Sequence, residues 1–495
     1  MIVLALLNVF AVGASVAVAV LAPAPPPPPP RLAQRRVVTP APALRPVGES
    51  APVPDPKRLA DAMAGPIVDH ALGSPPAAVV VDVATGRRLY AHHAEHPSTP
   101  ASTTKLTTAT AVLRAVGPAE RLATRVVRGT GPHTVILVGG GDPTLTRTRD
   151  PGAYPRFASL DRLAARTVHA LKGTHTTTVR LGYDASLYTG PSTPPTWKHS
   201  YVSGGNVAPV SALELDEGRV RPDGDARVGK PPKAAAEAFA ELLDKRGITV
   251  RPGIRERHAR RNAKVLAKVS SPPVATLVEH MLTFSDNDLA EALGRRVALA
   301  EGEPPSFAGA ARAITSVLGG LGVRRGVELH DASGLSPKNA ITPRALVTLL
   351  RLAASARHPN LRPLVTGLPV AGFSGTLRYR YDSGSAKASL GLVHAKTGTL
   401  NGVSALAGYA YDADGRLLAF AFLANHVQNG GTWAAEAALD TMAATVARCG
   451  CRGHASRTPS APSHAPRSEH PRPPWRGLSD VFPGEIGVSA CSRHG

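Results

Sequence analysis

A serine and a lysine, Ser102 and Lys105, stand three residues apart at the start of a predicted helix. Thr99 and Pro100 precede them, and a threonine cap followed by proline is typical of a helix start. Residues three apart on a helix share one face, so the Lys105 amine can reach the Ser102 hydroxyl. A serine hydroxyl is a weak nucleophile until a base removes its proton. Lysine can be that base if burial or a second cation lowers its pKa, so the pair can form a lysine-activated nucleophile. A Ser/Thr-rich helix start with an exposed lysine has the same residues and is the simpler interpretation of this pair alone.

A second polar group, Ser285 to Asn287, lies between two apolar stretches with helical periodicity. The Ser285 hydroxyl can relay a proton toward a leaving amine, and the Asn287 amide can hold a substrate backbone or Lys105. The same residue types commonly cap helices without any chemical role. Taken alone, this group predicts no more than a helix start.

A third group, Lys396, Thr397, Gly398 and Thr399, lies at the end of a strand predicted over 391–397. One cation and two hydroxyls can bind a terminal carboxylate, and Lys396 can also be the cation that lowers the pKa of Lys105. Gly398 has no side chain, so a substrate strand can approach the backbone closely there. An ordinary polar strand end has the same composition, so this group is also weak evidence alone.

The chain of 495 residues carries 57 Lys and Arg against 36 Asp and Glu, a formal charge of +21. Such an excess favours anionic surroundings: nucleic acid, an anionic cell wall or a lipid surface. Nucleic acid is not predicted, because the sequence has no zinc-finger spacing, aromatic–glycine RNA motif or basic heptad repeat. A basic solvated surface with basic tails is the simplest explanation of the charge.

Composition and patterning divide the chain into segments. The apolar start is long enough to span a bilayer, proline-rich sequence follows it, and the end is rich in Pro, Ser, His and Arg. The predicted segments are a membrane anchor or signal segment (1–22), a Pro-rich linker (23–54), a catalytic body in two parts (55–117 and 271–451), a β-rich insertion (118–270) and a disordered tail (452–495).

Apolar spacing and turn residues predict the elements of the body. The predicted helices cover 55–72, 99–116, 274–299, 305–321 and 432–448, and the predicted strands cover 77–83, 87–91, 391–397, 404–411 and 416–423.

Other clusters are weaker candidates for chemistry. His92, His93, Glu95 and His96 are metal-ligating types, but they precede a turn without fixed ligand spacing, so no metal site is predicted there. The chain has neither the G-x-G-x-x-G string of dinucleotide-binding folds nor the G-x-S-x-G elbow of α/β-hydrolases. No cofactor is predicted.

The three polar groups occur once each and in one order, and together they resemble the S-x-x-K, S-x-N and K-T-G motifs of penicillin-binding proteins and β-lactamases. Their surroundings resemble the D-alanyl-D-alanine carboxypeptidase/endopeptidase family, the class C low-molecular-mass penicillin-binding proteins. The resemblance covers roughly residues 55–448, and a long insertion after S-x-x-K distinguishes this family from class A β-lactamases. The similar strings are residues 97–105, 138–145, 207–213, 331–336, 368–377 and 394–400.

The resemblance implies an α+β, transpeptidase-like fold, in which an antiparallel sheet is flanked by helices and carries a large β-rich insertion. It implies a serine D-alanyl-D-alanine carboxypeptidase that acts on peptidoglycan stem peptides and binds β-lactam antibiotics, with D,D-endopeptidase activity left open. The implied roles are nucleophile for Ser102, base for Lys105, second element for Ser285 and Asn287, carboxylate site for Lys396, Thr397, Gly398 and Thr399, and oxyanion hole for the N–H groups of Ser102 and Thr399.

Two positions depart from the family's pattern. Ala332 stands where glycine is usual, and the stretch around 197–199 lacks an expected acidic residue. The second departure bears on recognition of the substrate side chain more than on catalysis.

Two other functions are compatible with the motifs. A β-lactamase-like hydrolase needs rapid deacylation, and the sequence contains no assignable deacylating glutamate. A non-catalytic wall-associated binding protein would need a decayed site, which the intact motifs disfavour. Turnover of a D-Ala-D-Ala peptide separates the three functions.

Overall fold

The computed structural model describes residues 51–221 and 223–450. The predicted anchor or signal segment, most of the linker and the tail lie outside these residues. Within the described part, no helix is both long enough and apolar enough to cross a bilayer.

The strands form two large sheets and one short pair. In chain order the strands are β1 (Ala77–Asp82), β2 (Arg88–His92), β3 (Arg121–Arg128), β4 (Thr134–Val138), β5 (Thr178–Asp184), β6 (Thr249–Glu256), β7 (Val265–Pro273), β8 (Val327–Glu328), β9 (Ala340–Ile341), β10 (Val393–Leu400), β11 (Val403–Tyr411) and β12 (Leu417–Ala424).

The α-helices, in the same order, are α1 (Pro56–Met63), α2 (Lys105–Ala115), α3 (Leu160–Lys172), α4 (Ser200–Ser203), α5 (Pro231–Asp244), α6 (Val274–Phe284), α7 (Asn287–Ala300), α8 (Phe307–Gly320), α9 (Pro343–Ala354), α10 (Arg362–Thr366) and α11 (Thr432–Arg448).

The first sheet is antiparallel throughout, with strand order β10-β11-β12-β1-β2. The sheet lies between two layers of helices and has buried residues on both of its faces. One face packs through Val79 and Leu423 against the core of α2 and α6 to α9, and the other packs through Phe420 and Phe422 against α1 and α11. This confirms the predicted α+β fold with its antiparallel sheet flanked by helices.

The second sheet is built from residues 121–273 and is mixed, with order β6-β5-β4-β3-β7. The pairs β4–β5 and β5–β6 are parallel, whereas β3 pairs antiparallel with β4 and β7. Parallel neighbours need a crossover, and α3 and α5 supply these connections and pack on the sheet. The region is therefore more helical than the β-rich insertion predicted from its turn residues.

Several helix boundaries differ from those predicted. The first helix ends at Met63, where Gly65 and Pro66 follow, and two short 3₁₀ turns replace its predicted second half. The helical stretch predicted over 274–299 is two helices, because Ser285 adopts a left-handed conformation with φ 59° between them. Strand β10 begins at Val393, two residues later than predicted, and ends at Leu400.

Candidate active site

Ser102 lies in a 3₁₀ turn, Ala101–Thr104, that leads directly into α2. Two glycines let neighbouring backbone approach this turn closely. A Cβ on Gly398 would lie 2.7 Å from the Pro100 carbonyl oxygen, and one on Gly334 would lie 1.9 Å from that of Ala101. The turn is thus held between β10 and the loop after Asp331, with Ser102 half-buried.

Lys105 is fully buried and its amine has three partners. Nζ lies 3.0 Å from Ser102 Oγ, 2.7 Å from Asn287 Oδ1 and 2.7 Å from the Ser333 carbonyl oxygen. These contacts bring together the first two sequence motifs and the 331–336 loop. They also aim the Lys105 amine at the hydroxyl that it would deprotonate.

Burial lowers the pKa of Lys105 to about 8, although carboxylates at Asp331, Asp286 and Glu291 oppose the shift. The expected second cation, Lys396, is not needed to explain this value. The pKa of Lys396 is itself held well below its ordinary value by burial and by the charges of Lys105 and Arg380.

The junction of α6 and α7 carries the second motif. Ser285 ends α6 and Asn287 begins α7, while the Asp286 side chain caps α7 by accepting from Leu289 N at 2.9 Å. The Asn287 side chain is used at both ends, because Oδ1 accepts from Lys105 and Nδ2 donates to the Asn206 carbonyl oxygen at 2.8 Å. Asn287 thereby links the catalytic body to the inserted region.

Two buried carboxylates organise the 331–336 loop, and sequence reasoning assigned a role to neither. Glu291 Oε1 accepts from the backbone N–H groups of Ala332 at 3.0 Å and Ser333 at 2.9 Å. Asp331 accepts from Gly334 N at 2.8 Å and Ser336 N at 2.6 Å. Together they orient the Ser333 carbonyl toward Lys105.

Of the two departures from the family's pattern, the structure explains Ala332 and shows the contacts of Trp197 without explaining the missing acidic residue. Ala332 is buried, and a Cβ on Gly294 would lie 2.6 Å from its Cβ, so Gly294 makes room for the extra methyl group. Trp197 is also buried, and its Nε1 donates to Asp331 Oδ2 at 2.8 Å. Trp197 thus supports the loop beside Lys105, whereas Lys198 and His199 are exposed.

The third motif lies on β10, at the edge of the first sheet. Lys396 is buried, and its Nζ donates to the Thr397 carbonyl oxygen at 2.8 Å. Thr397 Oγ1 donates to Thr376 Oγ1 at 2.8 Å, and Thr399 Oγ1 donates to Glu436 Oε1 at 2.9 Å. The two threonine hydroxyls of the motif are therefore engaged by neighbouring side chains. The motif also lies next to the proposed nucleophile, as the close approach of Gly398 to the Ser102 turn shows.

The two residues that the resemblance implies for the oxyanion hole, Ser102 and Thr399, lie on neighbouring backbone segments. A Cβ on Gly398 would lie 3.1 Å from Ser102 N, so the backbone of residues 398–399 passes directly beside that N–H group. Two backbone N–H groups that point into one site can stabilise the negative charge that develops on a carbonyl under attack.

The histidine cluster predicted to lack a metal site has other contacts. His92 Nδ1 lies 2.9 Å from the Pro76 carbonyl oxygen, and Glu95 forms an ion pair with Arg344 at 2.6 Å.

Comparisons with known proteins agree with this geometry. A model of the D-Ala-D-Ala carboxypeptidase 3 (S13) family matches residues 59–226 and 221–446. Carboxypeptidase DacB of Mycolicibacterium smegmatis is 37% identical over 426 residues, covering 83% of this chain and 89% of that protein. A D-alanyl-D-alanine carboxypeptidase of an Actinomadura species is 28% identical over 431 residues, covering 70% of this chain and 77% of that protein.

A similar fold occurs in a solved structure. The crystal structure of penicillin binding protein 4 from Haemophilus influenzae superposes with a TM-score of 0.64 at 23% identity. The superposition covers 77% of this chain and 97% of that one, so the two proteins share a fold.

Proposed function

The chain belongs to the D-Ala-D-Ala carboxypeptidase 3 (S13) family, and on that premise we propose that Ser102 is the nucleophile with which it hydrolyses peptidoglycan stem peptides. It is a serine-type D-alanyl-D-alanine carboxypeptidase and a penicillin-binding protein. The observation that carries the assignment of the nucleophile is the contact between the buried Lys105 amine and Ser102 Oγ at 3.0 Å.

In the proposed acylation step, Ser102 Oγ attacks the carbonyl carbon between the two D-alanines while Lys105 takes the hydroxyl proton. A pKa of about 8 supports this role, because about one Lys105 in ten is then neutral at pH 7. The N–H groups of Ser102 and Thr399 stabilise the oxyanion. The departing D-alanine amine receives a proton through Ser285, whose hydroxyl lies at the α6–α7 junction.

In the second half of the reaction, water cleaves the ester between Ser102 and the shortened peptide. The peptide is held along β10 as an added strand, which the position of β10 at the sheet edge supports. Before cleavage, the carboxylate of the substrate's last D-alanine is bound near Thr397 and Thr399, with Lys396 supplying positive charge, and it leaves with that D-alanine. β-Lactams enter the same site and acylate the same serine.

The β-lactamase alternative is disfavoured by the contacts of Glu291, a buried glutamate that interacts with Lys105. Glu291 Oε1 accepts two backbone N–H groups and Oε2 accepts from Arg295 at 3.2 Å, so both oxygens are occupied away from Ser102. Rapid hydrolysis of a penicilloyl ester needs a base near that ester.

The catalytic body acts outside the cytoplasm, where peptidoglycan lies. We further propose that residues 1–22 anchor it to the membrane, as their apolar length suggests, although they lie outside the described residues. Removing residues 1–22 should move penicillin-labelled protein from the membrane pellet to the soluble fraction of lysed cells. An unchanged distribution would argue against the anchor.

The experiment for the function is to incubate the full chain with diacetyl-L-Lys-D-Ala-D-Ala and measure released D-alanine. Steady release by the wild type and its loss in Ser102→Ala support the proposal. The matched control is Ser203→Ala, an exposed serine in α4, which should keep wild-type activity. Benzylpenicillin turnover faster than peptide turnover would favour the β-lactamase instead.

A further inference from the structure

Three potential metal ligands from two parts of the chain meet beside the second motif. Glu217 lies in the inserted region, His280 on α6 and Asp286 between α6 and α7. His280 Nε2 is 3.9 Å from both Glu217 Oε1 and Asp286 Oδ2, and the three ligand atoms all lie within 4.8 Å of one another. Within residues 51–221 and 223–450 this is the one such group of three.

The backbone and neighbouring side chains hold Glu217 in place. It occupies a left-handed turn with φ 55°, its N–H donates to the Pro143 carbonyl oxygen at 2.9 Å, and its carbonyl oxygen accepts from Arg227 Nη1 at 2.9 Å. Its Oε2 accepts from Arg219 Nε at 3.2 Å. Oε1 is therefore the carboxylate oxygen left to face His280.

Asp286 presents an oxygen without a hydrogen-bond donor. Its side chain is only 5% exposed, its Oδ1 accepts the α7 capping bond from Leu289, and its Oδ2 is buried without a hydrogen-bond partner. A buried carboxylate oxygen that lacks a donor is costly, by about 1–3 kcal/mol or more, and it is satisfied by an ion, by a water or by a proton shared with the neighbouring Glu217 carboxyl group. The free Oδ2 faces His280 and Glu217.

The charges around the group do not balance. Four buried or half-buried carboxylates, Glu214, Glu217, Asp286 and Asp288, lie together, while two guanidinium groups, Arg219 and Arg227, contact them. Repulsion from Asp286, followed by burial, raises the pKa of Glu217 to about 7, and burial raises the pKa of Asp286 and Asp288. A doubly charged cation at this place would reduce the mutual repulsion of these carboxylates.

A cleft of about 410 Å³ borders the group and is large enough for a cation with water ligands. Phe284 and Asn206 also line it. His280 packs against the rings of Phe157 and Phe284, with centroids 5.1 and 4.8 Å away, which keeps its ring beside the two carboxylates.

We propose that Glu217 Oε1, His280 Nε2 and Asp286 Oδ2 bind a divalent transition-metal cation, for which Zn²⁺ is the best match. One imidazole and two carboxylates are a Zn²⁺ ligand set, whereas Mg²⁺ and Ca²⁺ prefer oxygen ligands alone. Tetrahedral Zn²⁺ at ~2.0–2.1 Å from each ligand separates ligand atoms by ~3.4 Å, so 3.9 Å requires a small inward movement.

The bound ion has a structural consequence for the active site. It joins the inserted region, through Glu217, to the α6–α7 junction that carries Ser285 and Asn287. Asn287 already makes a parallel link through the Asn206 carbonyl oxygen. The ion is a clamp on the second motif and takes no part in the acyl transfer.

Isothermal titration of the metal-free full chain with ZnCl₂ tests the proposal, with MgCl₂ as the comparison ion. We expect the wild type to bind one more equivalent of Zn²⁺ than Glu217→Gln and His280→Gln, and Zn²⁺ to raise only the wild-type Tm. The matched control is His330→Gln, because His330 faces a single carboxylate, Glu328, at 3.3 Å. Histidines of the C-terminal tail are present in every variant, so any Zn²⁺ they bind cancels.

Equal Zn²⁺ stoichiometry and affinity in the wild type and both variants would overturn the proposal and favour a proton shared between Glu217 and Asp286. If a variant fails to fold, anomalous scattering at the zinc edge from wild-type crystals decides the question. A peak between the three ligands supports the site, and its absence at saturating Zn²⁺ contradicts it. Both experiments measure binding, so their outcome does not depend on the peptidase activity.

Discussion

Lys105 Nζ lies 2.7 Å from Asn287 Oδ1, although the two residues are 182 positions apart and the whole inserted region separates them in the chain. Through this contact, Asn287 of the second motif fixes the position of the Lys105 amine, the proposed base of the first motif. Asn287 is in turn bonded to Asn206 of the insertion. The position of the Lys105 amine relative to Ser102 thus depends on how the inserted region packs against α7.

The first prediction concerns the proton acceptor. The rate of acylation by benzylpenicillin should rise with pH through a midpoint of about 8, because only the neutral Lys105 amine can accept the Ser102 proton. Lys105→Ala should lose several orders of magnitude in rate, since nucleophile and base act as one unit. The acylation rate can be measured by stopped-flow from pH 6 to 10, a range of about four units around the pKa.

Lys105→Arg is the critical control for this prediction. Arginine keeps a positive charge but does not give up its proton at working pH, so this variant should fail as completely as the alanine variant. Near-normal acylation by Lys105→Arg would refute Lys105 as the base.

A second prediction separates the chemistry of Ser285 from its backbone role. Ser285 has φ 59°, which glycine adopts without strain, so Ser285→Gly should leave Tm unchanged or higher. Loss of the hydroxyl should still lower the acylation rate by about 10²–10⁴-fold. The control is His133→Gly, at φ 57° in the insertion, which should match the Tm effect and keep the wild-type rate. Wild-type acylation by Ser285→Gly would rule out the proton relay.

A third prediction concerns Lys396 and the substrate carboxylate. A charge-assisted contact is worth about 1.5–3 kcal/mol, or about ten- to a hundred-fold in kcat/KM. Lys396→Ala should therefore reduce kcat/KM on a D-Ala-D-Ala peptide by that factor more than on its C-terminal amide. Equal losses on acid and amide would mean that Lys396 serves the chemistry and not recognition.

Glu436 is the subject of the fourth prediction. It accepts the Thr399 hydroxyl bond at 2.9 Å, so its carboxylate competes with a substrate carboxylate for the same donor. Glu436→Gln should raise kcat/KM on peptide acids about fivefold, which corresponds to ~1 kcal/mol of repulsion in partly solvated surroundings, and leave the amide unaffected. Glu279→Gln is a matched control, since Glu279 also accepts from a threonine, Thr366, elsewhere on the surface. A fall in activity on both substrates would contradict this competition.

Sequence spacing predicts the short-range parts of the site and misses the long-range ones. The Ser102–Lys105 pair follows from helical spacing, and the position of Lys396 on a strand follows from its apolar flanks. The role of Glu291 is not predictable from the sequence, because Arg295 lies four residues further on and this spacing predicts an exposed ion pair on a helix. In the fold both side chains are buried, and Glu291 instead orients the loop that contacts Lys105.

The fold shows the same division. The antiparallel sheet of the body is predictable because its strands are apolar and its hairpin turns are short. In the insertion, the many turn residues predict strands and turns, and α3 and α5 are not predicted. The parallel pairing of β4, β5 and β6 brings together residues that are far apart in the chain, and no local sequence pattern indicates it. The proposed zinc ligands are likewise invisible in the sequence, since Glu217 is far from His280 and Asp286.

The central claim is that Ser102 is the residue acylated through Lys105. The most direct measurement is mass spectrometry of the full chain after exposure to benzylpenicillin, first intact and then as mapped peptides. One long-lived penicilloyl adduct per chain, on the peptide that contains Ser102 and absent from Ser102→Ala, is the predicted result. An adduct on any other residue, or wild-type labelling of Ser102→Ala, would contradict the account.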